Sequence, residues 1–302
     1  MTRTQRIFTY MAVCILFIGP SALLAQNSSQ GILLLAHGGS SAWNEEVLNL
    51  AKQIDQRMPV EVAFGMATKR TIQDAADRLV KRGVQRIVAV PLFISPHSSI
   101  VTSTEYLLGL RKEAPPELAA YARMDHGAGA NHHPPEGFDP TKPIQCPASI
   151  SMTSALGRHP LVSEILLSRA NSISRAPENE VVMIVAHGPS RDEENAKWLE
   201  DMRALVEPMG ARTRFHRIEY MTVRDDAPEP IRSQATAELR SRVEKLDTEG
   251  KRPLIVPLLI SFGGIEPGIR TRLEGLQYEM SPRALLPDDR IAQWVLLQAG
   301  VQ

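Results

Sequence analysis

Two stretches of the chain carry unbroken aliphatic runs that end in the same four-residue turn. Gly31-Ile-Leu-Leu-Leu-Ala-His-Gly-Gly-Ser40 and Val181-Val-Met-Ile-Val-Ala-His-Gly-Pro-Ser190 both read as strand followed by Ala-His-Gly-x-Ser. A run without polar alternation is apolar on both faces, as in a parallel sheet covered by helices on each side. The pattern then changes period. After His37, Val47, Ala51, Ile54 and Met58 fall on one helical face. After His187, Leu199, Met202 and Val206 form the matching stripe, with Ser190 and Glu193 at capping-box spacing.

Each half continues in the same order. Residues 60–67 and 214–221 predict second strands. A helix opening near Thr71 and Asp74 turns Ile72, Ala75, Ala76, Leu79 and Val80 inward and stops at Gly83. Its counterpart runs through Ile231, Ala235, Leu239, Val243 and Leu246 to Gly250. Third strands follow at 87–95 and 254–261, where Val-Pro-Leu-Phe-Ile-Ser is answered by Val-Pro-Leu-Leu-Ile-Ser. Strand–helix–strand–helix–strand, twice over, predicts an α/β protein of two similar domains, each a mainly parallel sheet flanked by helices, facing across a cleft. The His-to-Pro spacing is longer in the second copy, and the stretch 212–230 is expected to hold the extra residues.

The pattern breaks twice. Residues 1–25 have Arg3 and Arg6 ahead of an apolar run and end in Ala25, the order of a secretory signal cleaved after Ala25. The run is too short and too interrupted to span a bilayer, so no stable membrane insertion is expected. Residues 111–147 are rich in proline and poor in aliphatics, and read as a Pro/His-rich insertion between an N-terminal domain at 26–110 and a C-terminal domain at 148–302. Export implies a secreted or periplasmic protein. With Cys14 in the leader, Cys146 remains alone and cannot form an internal disulfide.

Composition narrows the function. The 34 basic residues equal the 34 acidic ones, and loss of the leader leaves 32 against 34. No basic surface for nucleic acid is implied. No phosphate-binding glycine loop is present, so ATP is not expected. A serine hydrolase would need a Gly-x-Ser-x-Gly elbow, which the chain lacks.

The chemistry gathers at strand ends, where ligands bind in open parallel sheets. His37 and His187 each stand one residue past a strand, and His97 lies just beyond the third strand of the first half. Converging imidazoles suit a divalent first-row metal or proton transfer near neutral pH. In the second half Gly263 stands where the first has His97, and Glu266 is the nearest companion for His187. Ser40, Ser95, Ser98 and Ser99 are placed to hydrogen-bond acidic groups of a ligand. Trp43 and Trp198 read as packing residues. His126, His132 and His133 in the insertion form a His-rich tract of the kind that collects metal, or a solvated loop.

Taken in order, strand-Ala-His-Gly-x-Ser, Val60-Glu-Val-Ala-Phe64, an Ala/Leu-rich helix and Gly83-x-x-x-Ile-Val-x-Val-Pro-Leu-Phe-Ile94 with a nearby His resemble the sirohydrochlorin cobaltochelatase family. Ala155-Leu-Gly-Arg-His-Pro160 resembles that family's link between halves. These are class II, ATP-independent tetrapyrrole chelatases, related in fold to ferrochelatase. The resemblance implies insertion of a divalent metal, cobalt foremost and nickel or ferrous iron as alternatives, into a tetrapyrrole such as sirohydrochlorin. It implies that His37 and His97 bind metal and accept pyrrole protons, with His187 and Glu266 secondary. The acid that the family carries after the Phe of the second strand is absent here, because Gly65 and Met66 follow Phe64. A second reading stays open: an exported metal- or tetrapyrrole-binding protein that kept the fold without turnover.

Overall fold

A computed structural model describes residues 30–123 and 137–301. The leader at 1–25 and His126, His132 and His133 lie outside the described residues. The first half runs β1 (Gln30–Ala36), α1 (Ser41–Asp55), β2 (Val60–Phe64), α2 (Lys69–Lys81), β3 (Arg86–Pro91), α3 (Ser99–Leu107), α4 (Leu118–Tyr121) and β4 (Ser149–Met152). Helix α5 (Pro160–Ile173) crosses to the second half, which repeats the order. It runs β5 (Glu180–Ala186), α6 (Asp192–Gly210), β6 (Arg217–Thr222), α7 (Ile231–Thr248), β7 (Arg252–Leu258), α8 (Ile265–Arg272), β8 (Glu279–Met280) and α9 (Asp289–Gln298).

The two sheets have the same topology, β2-β1-β3-β4 and β6-β5-β7-β8. Every pairing is parallel, with Leu34 opposite Val62 on one side and Val90 on the other, and Ile184 opposite Tyr220 and Val256. Both central strands, β1 and β5, are buried nearly end to end. That is why their sequences show no alternation: helices cover both faces. The short edge strands β4 and β8 escape the sequence pattern, because four and two residues are too few to show a period.

The halves are joined by one core. Ile32 and Leu34 of β1, Val182 and Ile184 of β5, Ile165 of α5, Leu205 of α6 and Trp294 of α9 belong to one buried cluster. Separate clusters cover the outer faces, Leu33, Leu79 and Leu107 on the first sheet and Met183, Leu239 and Leu273 on the second. Each fully buried aliphatic side chain contributes about 2 kcal/mol of transfer free energy, so the shared layer fixes how the two sheets face each other. Arg169 of α5, itself buried, adds a polar tie by donating to the carbonyls of Ala284, Leu285 and Pro287.

Three local expectations are corrected. The extra length of the second half is spread out: α6 has 19 residues against 15 in α1, and α7 has 18 against 13 in α2. The β6–α7 connection, 223–230, is also longer than its counterpart at 65–68. Ser190 does not cap α6. The residue before that helix is Arg191, without a side-chain cap, and the Ser190 hydroxyl donates to Asp226 O at 2.9 Å. Finally, the Pro-rich insertion is not separate from the first domain: Leu118 is buried in the outer core of the first sheet, with Ile144 and Cys146 packed against that core. Among the described residues, no helix is long and apolar enough to cross a membrane.

Candidate functional site

The site residues sit where the chain leaves the sheets. His37 follows the last residue of β1 and His187 the last residue of β5, and the next glycines have φ of +83° and +73°. Only glycine adopts such angles without strain, so the chain reverses at once into α1 and α6 and the imidazoles remain at the sheet edge. Ser40 caps α1 by accepting from Trp43 N at 3.3 Å. Trp43 packs against Gly39, Gly263 and the shared core, as expected of a packing residue.

His37 is exposed, and its Nδ1 lies 2.7 Å from Gly38 O. Donation there places the ring's lone pair on Nε2, the tautomer that a metal ligand uses. His187 is more enclosed. Its Nε2 is shielded from solvent, has no well-aligned hydrogen bond, and stands 3.2 Å from Asp226 Oδ2. Asp226 lies in the β6–α7 connection and is exposed. The adjacent His187 imidazole holds its carboxyl below the ordinary Asp value against partial burial, and the charge of His37 acts in the same direction. His187 contacts this carboxylate directly, and His37 of the other half lies within reach of its charge. Sequence reasoning missed Asp226. The usable signal was an acid just after the second strand, sought in the first half and present in the second.

His97 has a different partner. Its Nε2 lies 3.3 Å from Asp201 Oδ2, a carboxylate buried in α6 of the other half. Arg158 Nε donates to the second oxygen of Asp201 at 2.5 Å and its Nη2 to Glu200 at 2.9 Å. This trio ties the loop after β3, the link before α5 and helix α6 together. The serines are also engaged. Ser95 is buried and accepts from His97 N, Ser98 caps α3, and the Ser99 hydroxyl pairs with Tyr121 OH at 2.6 Å. Both oxygens of Glu266 accept from Gly263 N, and one also from Gly264 N, closing the turn into α8. Glu266 thus secures a loop rather than presenting a bare carboxylate to His187.

The halves interlock beside the histidines. A Cβ on Gly263 would meet Ser40 Oγ, so the loop after β7 lies directly on the His37 turn. On the other side Arg191, at the start of α6, reaches Glu117 ahead of α4 at 3.1 Å. Among the described residues, no group of three or more His, Cys, Asp or Glu side chains could hold a metal ion.

Comparison with known proteins follows this division into halves. Residues 31–173 match the CbiX family model. The sirohydrochlorin cobaltochelatase of Methanothermobacter thermautotrophicus is 28% identical over 153 residues, 48% of this chain and 96% of that protein. The enzyme of the same name from Methanopyrus kandleri is 27% identical over 142 residues, 46% of this chain and 92% of its own length. Among solved structures, SirB from Bacillus subtilis with Fe3+ superposes with a TM-score of 0.58 at 16% identity, covering 90% of this chain and 94% of that one. DR2241 from Deinococcus radiodurans, described as a multi-domain protein with structural similarity to chelatases, gives 0.54 at 18% identity, covering 90% and 55%. At these identities the structural likeness shows the fold alone, and that fold is the two-sheet chelatase architecture. Residues 31–173, just under half of the chain, are thus similar to the CbiX family, and the sequence likeness runs to sirohydrochlorin cobaltochelatases. Each of the two curated relatives is matched by about half of this chain, and the second sheet repeats the strand order of the first.

Proposed function

We propose that this chelatase inserts a divalent metal, cobalt foremost and nickel or ferrous iron as further candidates, into a tetrapyrrole of the sirohydrochlorin type without consuming nucleotide. The observation that carries this is the group His37, His187 and Asp226. It combines a solvent-shielded imidazole nitrogen lacking an aligned hydrogen bond, a carboxylate 3.2 Å away, and a histidine from the other half acting on the same carboxylate.

Metallation needs weak, exchangeable protein ligands, a base for two pyrrole protons and a surface that orients the ring. His187 and Asp226 supply an N and an O donor, and imidazole suits cobalt, nickel and iron alike. The base for a pyrrole proton in this reading is His37, which stands exposed at the sheet edge of the other half. A metal held by these two donors would keep positions open for the ring nitrogens. In this reading His97 shifts from ligand to tie between halves, and Glu266 supports its loop.

Export belongs to the same proposal. It rests on residues 1–25, where a charged start, a short apolar run and Ala25 have the order of a cleaved signal. Secretion to the periplasm or beyond would place the chemistry outside the cytoplasm.

The test mixes purified protein with sirohydrochlorin and Co2+ and follows the absorbance change against a protein-free control. Acceleration that is lost in both His187→Ala and Asp226→Asn supports the assignment. An unchanged rate despite bound tetrapyrrole would make the protein a carrier.

A further inference from the structure

We propose that Arg224 is a positioning residue that holds His187 and Asp226 in their working arrangement, an inference that rests on the chelatase reading of that site. Arg224 is 8% exposed and adopts φ of +52°, a backbone conformation that side chains of its size rarely take. Strain of this kind persists only where the surroundings hold it. Here they do. Arg224 Nε donates to Pro189 O at 2.6 Å, and Nη2 to Ser190 O at 2.6 Å and Asp192 Oδ1 at 2.9 Å. Its backbone N–H donates to His187 O at 2.8 Å, and its own carbonyl accepts from Ala227 N at 3.0 Å.

One residue thus grips both sides of the site. The side chain and amide bind the carbonyls of 187, 189 and 190, which are the turn that carries His187 out of β5. The tight turn from Arg224 to Ala227 carries Asp226, and Ser190 Oγ closes the ring by donating to Asp226 O. The planar guanidinium holds its donors in a fixed fork that meets Pro189 O, Ser190 O and Asp192 Oδ1 together, whereas a lysine ammonium presents a compact point charge on a flexible stem. The first half has no counterpart: Met66 occupies the matching place after β2, since Gly65 N and Val223 N make the same bond to Ala36 O and Ala186 O. The second half is therefore the one built to hold an imidazole and a carboxylate in fixed relation.

Arg224→Lys and Arg224→Ala test this, with Arg242→Ala as control. Arg242 also bonds a carbonyl, Tyr220 O, from α7, but away from the His187 turn. Titration with Co2+ alone and metallation of sirohydrochlorin are measured side by side. In both Arg224 variants kcat and Co2+ affinity should fall by about 10- to 100-fold, the cost usual for partners that orient a metal site, while KM for the tetrapyrrole changes little. Guanidinium ion added to Arg224→Ala should restore part of the rate. Arg242→Ala should lower the unfolding midpoint and leave kcat and Co2+ affinity alone. Wild-type kcat and Co2+ affinity in Arg224→Lys would overturn the inference, as would equal losses in Arg242→Ala. If the wild type binds Co2+ without metallating, the chelatase reading fails, and the Co2+ titrations alone decide the role of Arg224.

Discussion

Gly188→Ala should be far more damaging than its size implies, and the structure says by how much. Gly188 has φ of +73°, and a left-handed backbone costs a side-chain-bearing residue about 1–2 kcal/mol. Its new Cβ would lie 2.5 Å from Thr222 Cβ and 2.9 Å from Thr222 Cγ2. Thr222 cannot swing away cheaply, because its hydroxyl donates to Asn195 Oδ1 at 2.7 Å and the residue is buried at the end of β6. Overpacking of this kind costs about 1–3 kcal/mol, so the expected loss totals about 2–5 kcal/mol. Gly83→Ala isolates the first contribution: φ is +84° there, and no atom lies within 4 Å of the added carbon. It should cost about 1 kcal/mol. The assay is urea denaturation of wild type and both variants, comparing midpoints at a common slope. A Gly188→Ala loss no larger than that of Gly83→Ala would refute the claim that the His187 turn is packed against β6.

Other outcomes follow from the same contacts. Glu180 is 1% exposed; burial pushes its carboxyl up, but bonds from Ser174 Oγ, Arg175 N and Arg252 outweigh this and leave it below the ordinary Glu value. Its contribution to stability is present above the unfolded value and fades as pH falls through the depressed folded one. Glu180→Gln should therefore cost about 3 kcal/mol near neutral pH and show a shallower acid-unfolding profile than wild type; identical profiles would contradict this. Asp201→Ala, which removes the partner of both Arg158 and His97, should lower stability by about 1–3 kcal/mol in the same denaturation assay. His97→Ala should keep kcat within about twofold of wild type, and its inactivity would return His97 to the metal site. Mass spectrometry of the protein from its native cells should find Gln26 as the first residue, and a retained leader would remove the case for export.

The fold was legible because its signals are long. The runs at 31–36 and 181–186, the stripes through Leu79 and Leu239, and the paired His-Gly turns each extend over enough residues to fix strand, helix and order. Site geometry was only half legible. A strand end predicts where His37 and His187 emerge, since the sheet itself sets that edge. It does not predict which loop will lie beside each of them. Asp226 and Arg224 belong to a connection with no period: Asp226 meets His187 and Arg224 bonds the 187–190 carbonyls only once the chain has folded, which a linear pattern cannot show. The partner of His97 was hidden for a similar reason: the fold brings Asp201 of α6 against it, and that contact depends on the other half of the chain.

Duplication within one polypeptide explains how the halves could diverge around one site. Were the two units separate identical chains, every change at a histidine turn would appear on both sides of the interface at once. Joined through α5 and the common core, each half can specialise. The first keeps an exposed His37 beside a turn that carries no acid, and lends His97 to an inter-half tie with Asp201. The second has Gly263 where the first has His97, and the missing side chain lets that loop press onto Ser40. It gains Asp226 and the Arg224 clamp. A Cβ at Gly263 would collide with Ser40 Oγ, so the close seating of this loop on the His37 turn depends on that missing side chain. The asymmetry between the halves is therefore built into how their loops pack against each other.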